Sequence, residues 1–166
     1  MMAECLIRSL RLHDGHIRSK YPDAMAADES TLEALFGDTG VAALVTLKRA
    51  GRPQLSNILY HYDHRTHTFS ISITDTRAKT RNMRRDSRVS LFKDSDDGWS
   101  YAVAEGNAEL SDVARTPNDD ATEQLVVLYR QVQGEHPDWD EFRAAMVDEQ
   151  RLVLRVRVDR FYGVAR

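Results

Sequence analysis

GRPQLSNILYHYDHRTHTFSISIT, Gly51 to Thr74, decides the fold. In HTFSISIT, Phe69, Ile71 and Ile73 alternate with Ser70, Ser72 and Thr74, the period-two pattern of a strand with one apolar face turned inward. QLSNILYHY (54–62) precedes it, and DHRT supplies a polar turn between the two. On the other side, AGRP turns the chain back onto VAALVTLKR (41–49), where Val41, Ala43, Val45 and Leu47 share a face. Three strands joined by short turns predict an antiparallel meander.

Working outward, DESTLEALF offers Asp28 or Ser30 as the N-cap of a short helix carrying Leu32, Leu35 and Phe36 on one face, with Gly37 and Gly40 ending it. Downstream, RVSLFKD (88–94) and WSYAVAEGNAEL (99–110) read as strands around an acidic turn, with Gly106 at a bend or bulge. DATEQLVVLYRQV (120–132) spaces Leu125, Val126, Leu128, Tyr129 and Val132 helically, DEFRAAMV makes a second helix, and RLVLRVRVDRFYGV closes as a strand. The expected fold is mainly β (α+β): a six-stranded antiparallel barrel with peripheral helices over residues 29–166. Residues 1–28 lack apolar periodicity and read as a flexible N-terminal extension, with Met25 as an alternative start.

The 166 residues, 42% hydrophobic and 30% charged, suit one globular domain with a core. Cys5 is the single cysteine, so a disulfide framework or thiolate metal cluster cannot be built within one chain, and a reducing, cytoplasmic setting is expected. No apolar run approaches the roughly 18 residues of a membrane span.

Against a net charge of -3, RAKTRNMRRD (77–86) gathers five cations. A helix continuing to Arg88 would set Arg77, Arg81, Arg84, Arg85 and Arg88 on one arc and point Lys79 the other way. Its first turn, with free backbone N–H groups beside Arg77, Lys79 and Thr80, has the chemistry of a phosphate cradle. A solvated basic face and a nucleic-acid stripe have the same composition, so charge alone leaves the three readings open.

Together, GRPQLSNILYHYD, ITDTRAKTRNMRRD and DDGWSYAVAEG resemble, in order and spacing, the pyridoxamine-phosphate-oxidase-like split β-barrels, particularly the reductases that bind the deazaflavin coenzyme F420. The resemblance covers the chain from about residue 30 onward. It implies a split barrel and a homodimer with cofactor sites at the subunit interface. It also implies a phosphate held by Arg77, Lys79, Thr80 and Asn82, with Pro53, Gln54, Ser56 and Asn57 on a strand flanking the ring system. Ser72 and Ile73 match the next strand, and Trp99 and Tyr101 a strand contributed by the partner. The expected activity is hydride transfer from reduced coenzyme F420 to a small conjugated or heteroaromatic acceptor. No catalytic acid is identified; Tyr101 and a bound water are the candidate proton donors, and Trp99 a candidate roof.

Alternation puts Gln54 and Ser56 on one face and Leu55 and Asn57 on the other, so only part of that motif can touch a ring directly. Small Ser70 and Ser72 leave room for a flat tricycle, and the arginines beyond Thr80 offer counter-charge to an oligoglutamate tail. FMN also brings one phosphate to such a cradle and is the alternative cofactor. A non-catalytic cofactor-binding module and a nucleic-acid-binding barrel are the remaining rivals. The expected partner is a small-molecule acceptor, with neither nucleic acid nor membrane.

Other signals are set aside. His61, His64 and His67 straddle a strand and its turn without a carboxylate at ligand spacing, and DSDDG has Gly98 where a calcium loop needs another oxygen ligand. Asp138, Trp139 and Asp140 read as cap and staple of a helix, and nothing forms a nucleophile elbow or dyad.

Overall fold

In the computed structural model, residues 28–96 and 98–165 are described. The predicted extension, including Cys5 and Met25, therefore lies outside the described residues apart from its last residue, Asp28. The chain runs α1 (Glu29–Ala34), β1 (Thr39–Leu47), β2 (Pro53–Asp63), β3 (Thr68–Thr74), α2 (Ala78–Arg85), β4 (Arg88–Asp94), β5 (Tyr101–Leu110), α3 (Asp120–Gln133), α4 (Trp139–Asp148) and β6 (Arg151–Val164). The six strands close into an antiparallel barrel in the order β1-β2-β3-β6-β5-β4.

The meander read from Gly51–Thr74 is present, and Phe69, Ile71 and Ile73 point into the barrel as the alternation requires. There they meet Leu44, Tyr60, Leu91, Leu152 and Leu154, all essentially solvent-free. α1 plugs one end. Asp28 caps it by accepting from the Thr31 N–H at 2.8 Å, Leu32 and Phe36 enter the core, and the Tyr60 hydroxyl donates to the Phe36 carbonyl at 2.5 Å. Gly106 sits at a register shift between β5 and β6, where a Cβ would lie 2.1 Å from the Arg157 carbonyl oxygen; only glycine lets the strands approach this closely.

β1 shows which of its faces is the core. Ala42, Leu44 and Thr46 point inward, and the face carrying Val41, Ala43, Val45 and Leu47 is the outer one. Register makes that face continuous: Val41 lies opposite Leu59, Ala43 opposite both Asn57 and Phe92, Phe92 opposite Val103, and Val103 opposite Tyr162. Leu55 is 62% exposed and Val41 56%, and Phe92 stacks on Tyr101 at 5.9 Å. Apolar residues alternating toward solvent across several neighbouring strands form a contiguous patch rather than scattered exposure.

α3 packs against β6, β2 and β3 and α4 against β6, burying Leu125, Val126, Phe142 and Met146 with Val153 of β6 in a second apolar cluster. Asp119 caps α3 and Asp138 caps α4. None of the described helices is long and apolar enough to cross a membrane.

Candidate functional site

The β2–β3 seam of the barrel is only partly paired. β2 pairs with β1 from Pro53 to His61 but with β3 only through His61–Asp63, so its first half diverges from β3. α2 occupies the split. Met83 enters the core, the buried Thr80 hydroxyl donates to the Thr74 carbonyl at 2.8 Å, and the Asn82 amide nitrogen donates to Thr46 Oγ1 at 3.1 Å and Gln54 Oε1 at 2.9 Å. These bonds fix the helix with its N-terminus at the gap. Its N-cap, Arg77, makes no side-chain capping bond, so the first-turn N–H groups and the positive end of the helix dipole are left for a ligand.

At this gap Lys79 reaches Ser56 Oγ at 3.4 Å, and Arg151, at the start of β6, reaches Ser72 Oγ at 3.4 Å. Burial, then the charges of Arg151 and Arg77, hold the Lys79 ammonium below the ordinary lysine pKa. Among the described residues no carboxylate pairs with Lys79; Arg151 has Glu149, at 2.7 Å. Three cations, two hydroxyls and a helix N-terminus thus converge without enough negative charge to neutralise them, an arrangement that favours a phosphate or carboxylate. The cleft beyond holds about 450 Å³, with Asn57, Ser72, Lys79 and Arg151 on its polar side and residues of α3 and α4 on its apolar side. Asn57 and Leu59 belong both to this cleft and to the exposed apolar face of the barrel, so the two surfaces meet.

The other arginines of the cluster are differently engaged. The helix ends at Arg85, so Arg88 does not extend the predicted arc: it starts β4 and pairs with Asp86 at 2.7 Å. The break falls at Asp86, which takes an extended conformation as C-cap and starts the turn into β4. Arg84 pairs with Asp75, Arg85 bonds the Leu47 carbonyl, and Arg81 donates to the Thr76 carbonyl at 2.5 Å. Arg81 and Arg85 nevertheless line, with Lys48 and Arg49 of the β1–β2 turn, a groove of about 510 Å³ that has no acidic residue in its wall.

Of the residues singled out in the sequence, Ser56, Asn57, Ser72, Arg77 and Lys79 gather around the cleft. Gln54, Thr80 and Asn82 instead spend their side chains on holding α2 to the barrel, and Ile73 is buried in the core, so a ligand could meet Ile73 only through its backbone. Pro53 is exposed at the start of β2. Trp99 and Tyr101 lie elsewhere: Tyr101 opens β5, and β4 and β1 separate that strand from β2. Arg151 and the α3–α4 wall escaped the sequence reading. Arg151 begins the alternating RLVLRVRV, but only the β3–β6 pairing, which sets it opposite Thr74, brings it to the site.

A sequence model of the family described as pyridoxamine 5'-phosphate oxidase matches residues 29–165. Among solved structures, the fold is similar to that of an F420 reductase, with 21% identity and a TM-score of 0.58 over 78% of this chain and 94% of that one. It is also similar to a conserved hypothetical protein from Mycobacterium tuberculosis, with 19% identity and a TM-score of 0.62 over 88% and 89%. A heme-binding protein from Mycobacterium smegmatis matches with 21% identity and a TM-score of 0.54 over 87% of this chain and 55% of that one. At these identities the structural likeness speaks for the fold alone.

Proposed function

This chain belongs to the pyridoxamine 5'-phosphate oxidase family, and from that premise we propose that it is an oxidoreductase using coenzyme F420 to reduce a small conjugated or heteroaromatic acceptor. The observation that carries the reading is Lys79, half-buried near Arg77 and Arg151 at the split of the barrel, with the Ser56 hydroxyl and, among the described residues, no carboxylate at its ammonium. A phosphate is the group that such a cluster lacks. The uncapped first turn of α2 adds N–H donors to it, and Arg77 offers forked contacts that a lysine cannot.

The acid-free groove of Lys48, Arg49, Arg81 and Arg85 favours coenzyme F420 over FMN, because FMN carries no negative charge beyond its phosphate whereas an oligoglutamate tail does. The exposed apolar face favours a homodimer: a second copy laid over it would wall the cleft at Asn57 and Leu59 and bring its own Trp99 and Tyr101 toward the ring. When bound, the reduced coenzyme supplies a hydride to the acceptor. The protein holds the phosphate, fixes the ring against β2 and excludes water, while the balancing proton comes from Tyr101 or a water molecule.

Side-by-side titration of the purified protein with coenzyme F420 and FMN tests the assignment, followed by a turnover screen with reduced coenzyme. Colourless protein that quenches added coenzyme F420 is the expected result. Yellow protein carrying FMN, indifferent to the deazaflavin, would transfer the site to the flavin.

A further inference from the structure

α3 turns Leu125, Leu128, Tyr129 and Val132 to one side, and α4 adds Phe142 and Met146. Helices laid on a sheet normally close such a face completely. Here β2 has left β3, so part of the face looks into the cleft instead of onto a strand. The result is a lobe whose apolar wall stands opposite Arg151 and Lys79, in a cavity of about 450 Å³, inside the roughly 300–1,000 Å³ of small-molecule sites. Tyr129 is held edge-on by Phe142 at 4.9 Å and Trp139 at 5.8 Å, so the wall is stiffened from behind by aromatic packing.

Phosphate binding does not account for this lobe, since a phosphate gains nothing from leucine, valine and methionine. An apolar wall facing a cationic edge matches a molecule divided in the same way. We infer that the α3–α4 lobe is the acceptor compartment, and that it takes a flat, largely apolar molecule carrying a carboxylate directed to Arg151. The inference rests on the reading of the cleft as a redox-coenzyme site and names the chemical class of the acceptor. Val132, partly buried on the rim, sets how large that molecule can be.

2-Naphthoate and its neutral amide are suitable probes, titrated into the protein with and without saturating coenzyme F420 or FMN. The expected result is naphthoate binding that persists beside the coenzyme. The amide is expected to bind about 10-fold or more weakly, the scale of a lost charge-assisted hydrogen bond. Val132→Trp, which fills the lobe from its rim, is expected to weaken naphthoate by a similar factor while leaving coenzyme affinity and the melting temperature unchanged. Val127→Trp, the same exchange at a solvent-exposed position of α3 outside the lobe, should bind naphthoate like the parent and serves as the control. Absence of naphthoate binding, equal binding of the amide, indifference to Val132→Trp, or displacement of naphthoate by the coenzyme would each overturn the inference. Naphthoate binding with the expected variant response, in a protein that binds neither coenzyme, would instead leave the amphiphile compartment standing and remove the redox reading.

Discussion

Lys79 of α2 faces Ser56 of β2 where β2 diverges from β3, Nζ to Oγ 3.4 Å, with cationic neighbours and, among the described residues, no acidic partner at its ammonium. That relationship sets two effects of opposite sign on one side chain. A lysine whose folded pKa lies below the unfolded value binds fewer protons when folded, so charged Lys79 costs stability at neutral pH. The cost fades as pH rises through its lowered pKa toward the ordinary lysine value of 10.5. Lys79→Met is therefore expected to raise the melting temperature of the ligand-free protein, by on the order of a few degrees at most, while weakening anion binding. In the parent, anion affinity should fall as pH rises through that lowered pKa, because the bound anion requires the ammonium. Thermal melts and anion titrations across alkaline pH check both; a lower melting temperature for Lys79→Met would contradict the account.

Asn82 tests whether the site was read correctly from sequence. Its amide joins Thr46 and Gln54 beneath α2 and is 7% exposed. Asn82→Ala should cost about 1–3 kcal/mol of stability, the usual penalty for stranding buried hydrogen-bonding partners, measured by urea unfolding. A direct phosphate ligand would give the reverse pattern, unchanged stability with lost affinity.

These cases show what was legible. Period-two alternation in HTFSISIT and helical spacing in α3 reflect local burial, so strands, helices and caps could be read from neighbours in the chain. The cation cluster was visible, but its division was not. Whether an arginine is free depends on Asp75, Asp86 and the Leu47 carbonyl, and the last of these is remote in sequence. Thr80 and Asn82 look like phosphate ligands by residue type, yet anchoring α2 in the split demanded their donors first. On β1 the more regularly apolar alternation marked the outer surface, because Thr46 interrupts the inner one and is buried all the same.

Asp119 should govern part of the acid response. Its carboxylate accepts from the N–H groups of Arg115, Thr116 and Thr122 at 2.8, 2.9 and 2.8 Å, and these bonds, Arg115 foremost, hold its pKa well below the usual range. A depressed folded pKa gives stability that is present above the unfolded value of about 3.9 and lost as pH falls through the folded one. Asp119→Ala is expected to lose about 0.5–2 kcal/mol at neutral pH, as helix N-caps do, and to flatten the acid unfolding curve. An unchanged acid limb would remove Asp119 from that role.

The apolar outer face makes its own prediction. Leu55→Glu places a charge where Leu55 is 62% exposed in the single chain, so the isolated fold should tolerate it. Sedimentation is expected to show a dimer for the parent and a monomer for the variant. A parent that is monomeric at all concentrations would contradict the assembly proposed above.

The central claim is that Lys79 grips a coenzyme phosphate, and a four-way comparison of dissociation constants tests it most directly. Parent and Lys79→Ala are titrated with coenzyme F420 and with the deazaflavin nucleoside that lacks the phosphate. Lys79→Ala should cost the intact coenzyme about 1–3 kcal/mol and the nucleoside almost nothing, a coupling that only direct contact produces. Equal losses for both ligands, or none for either, would mean that the lysine holds something else.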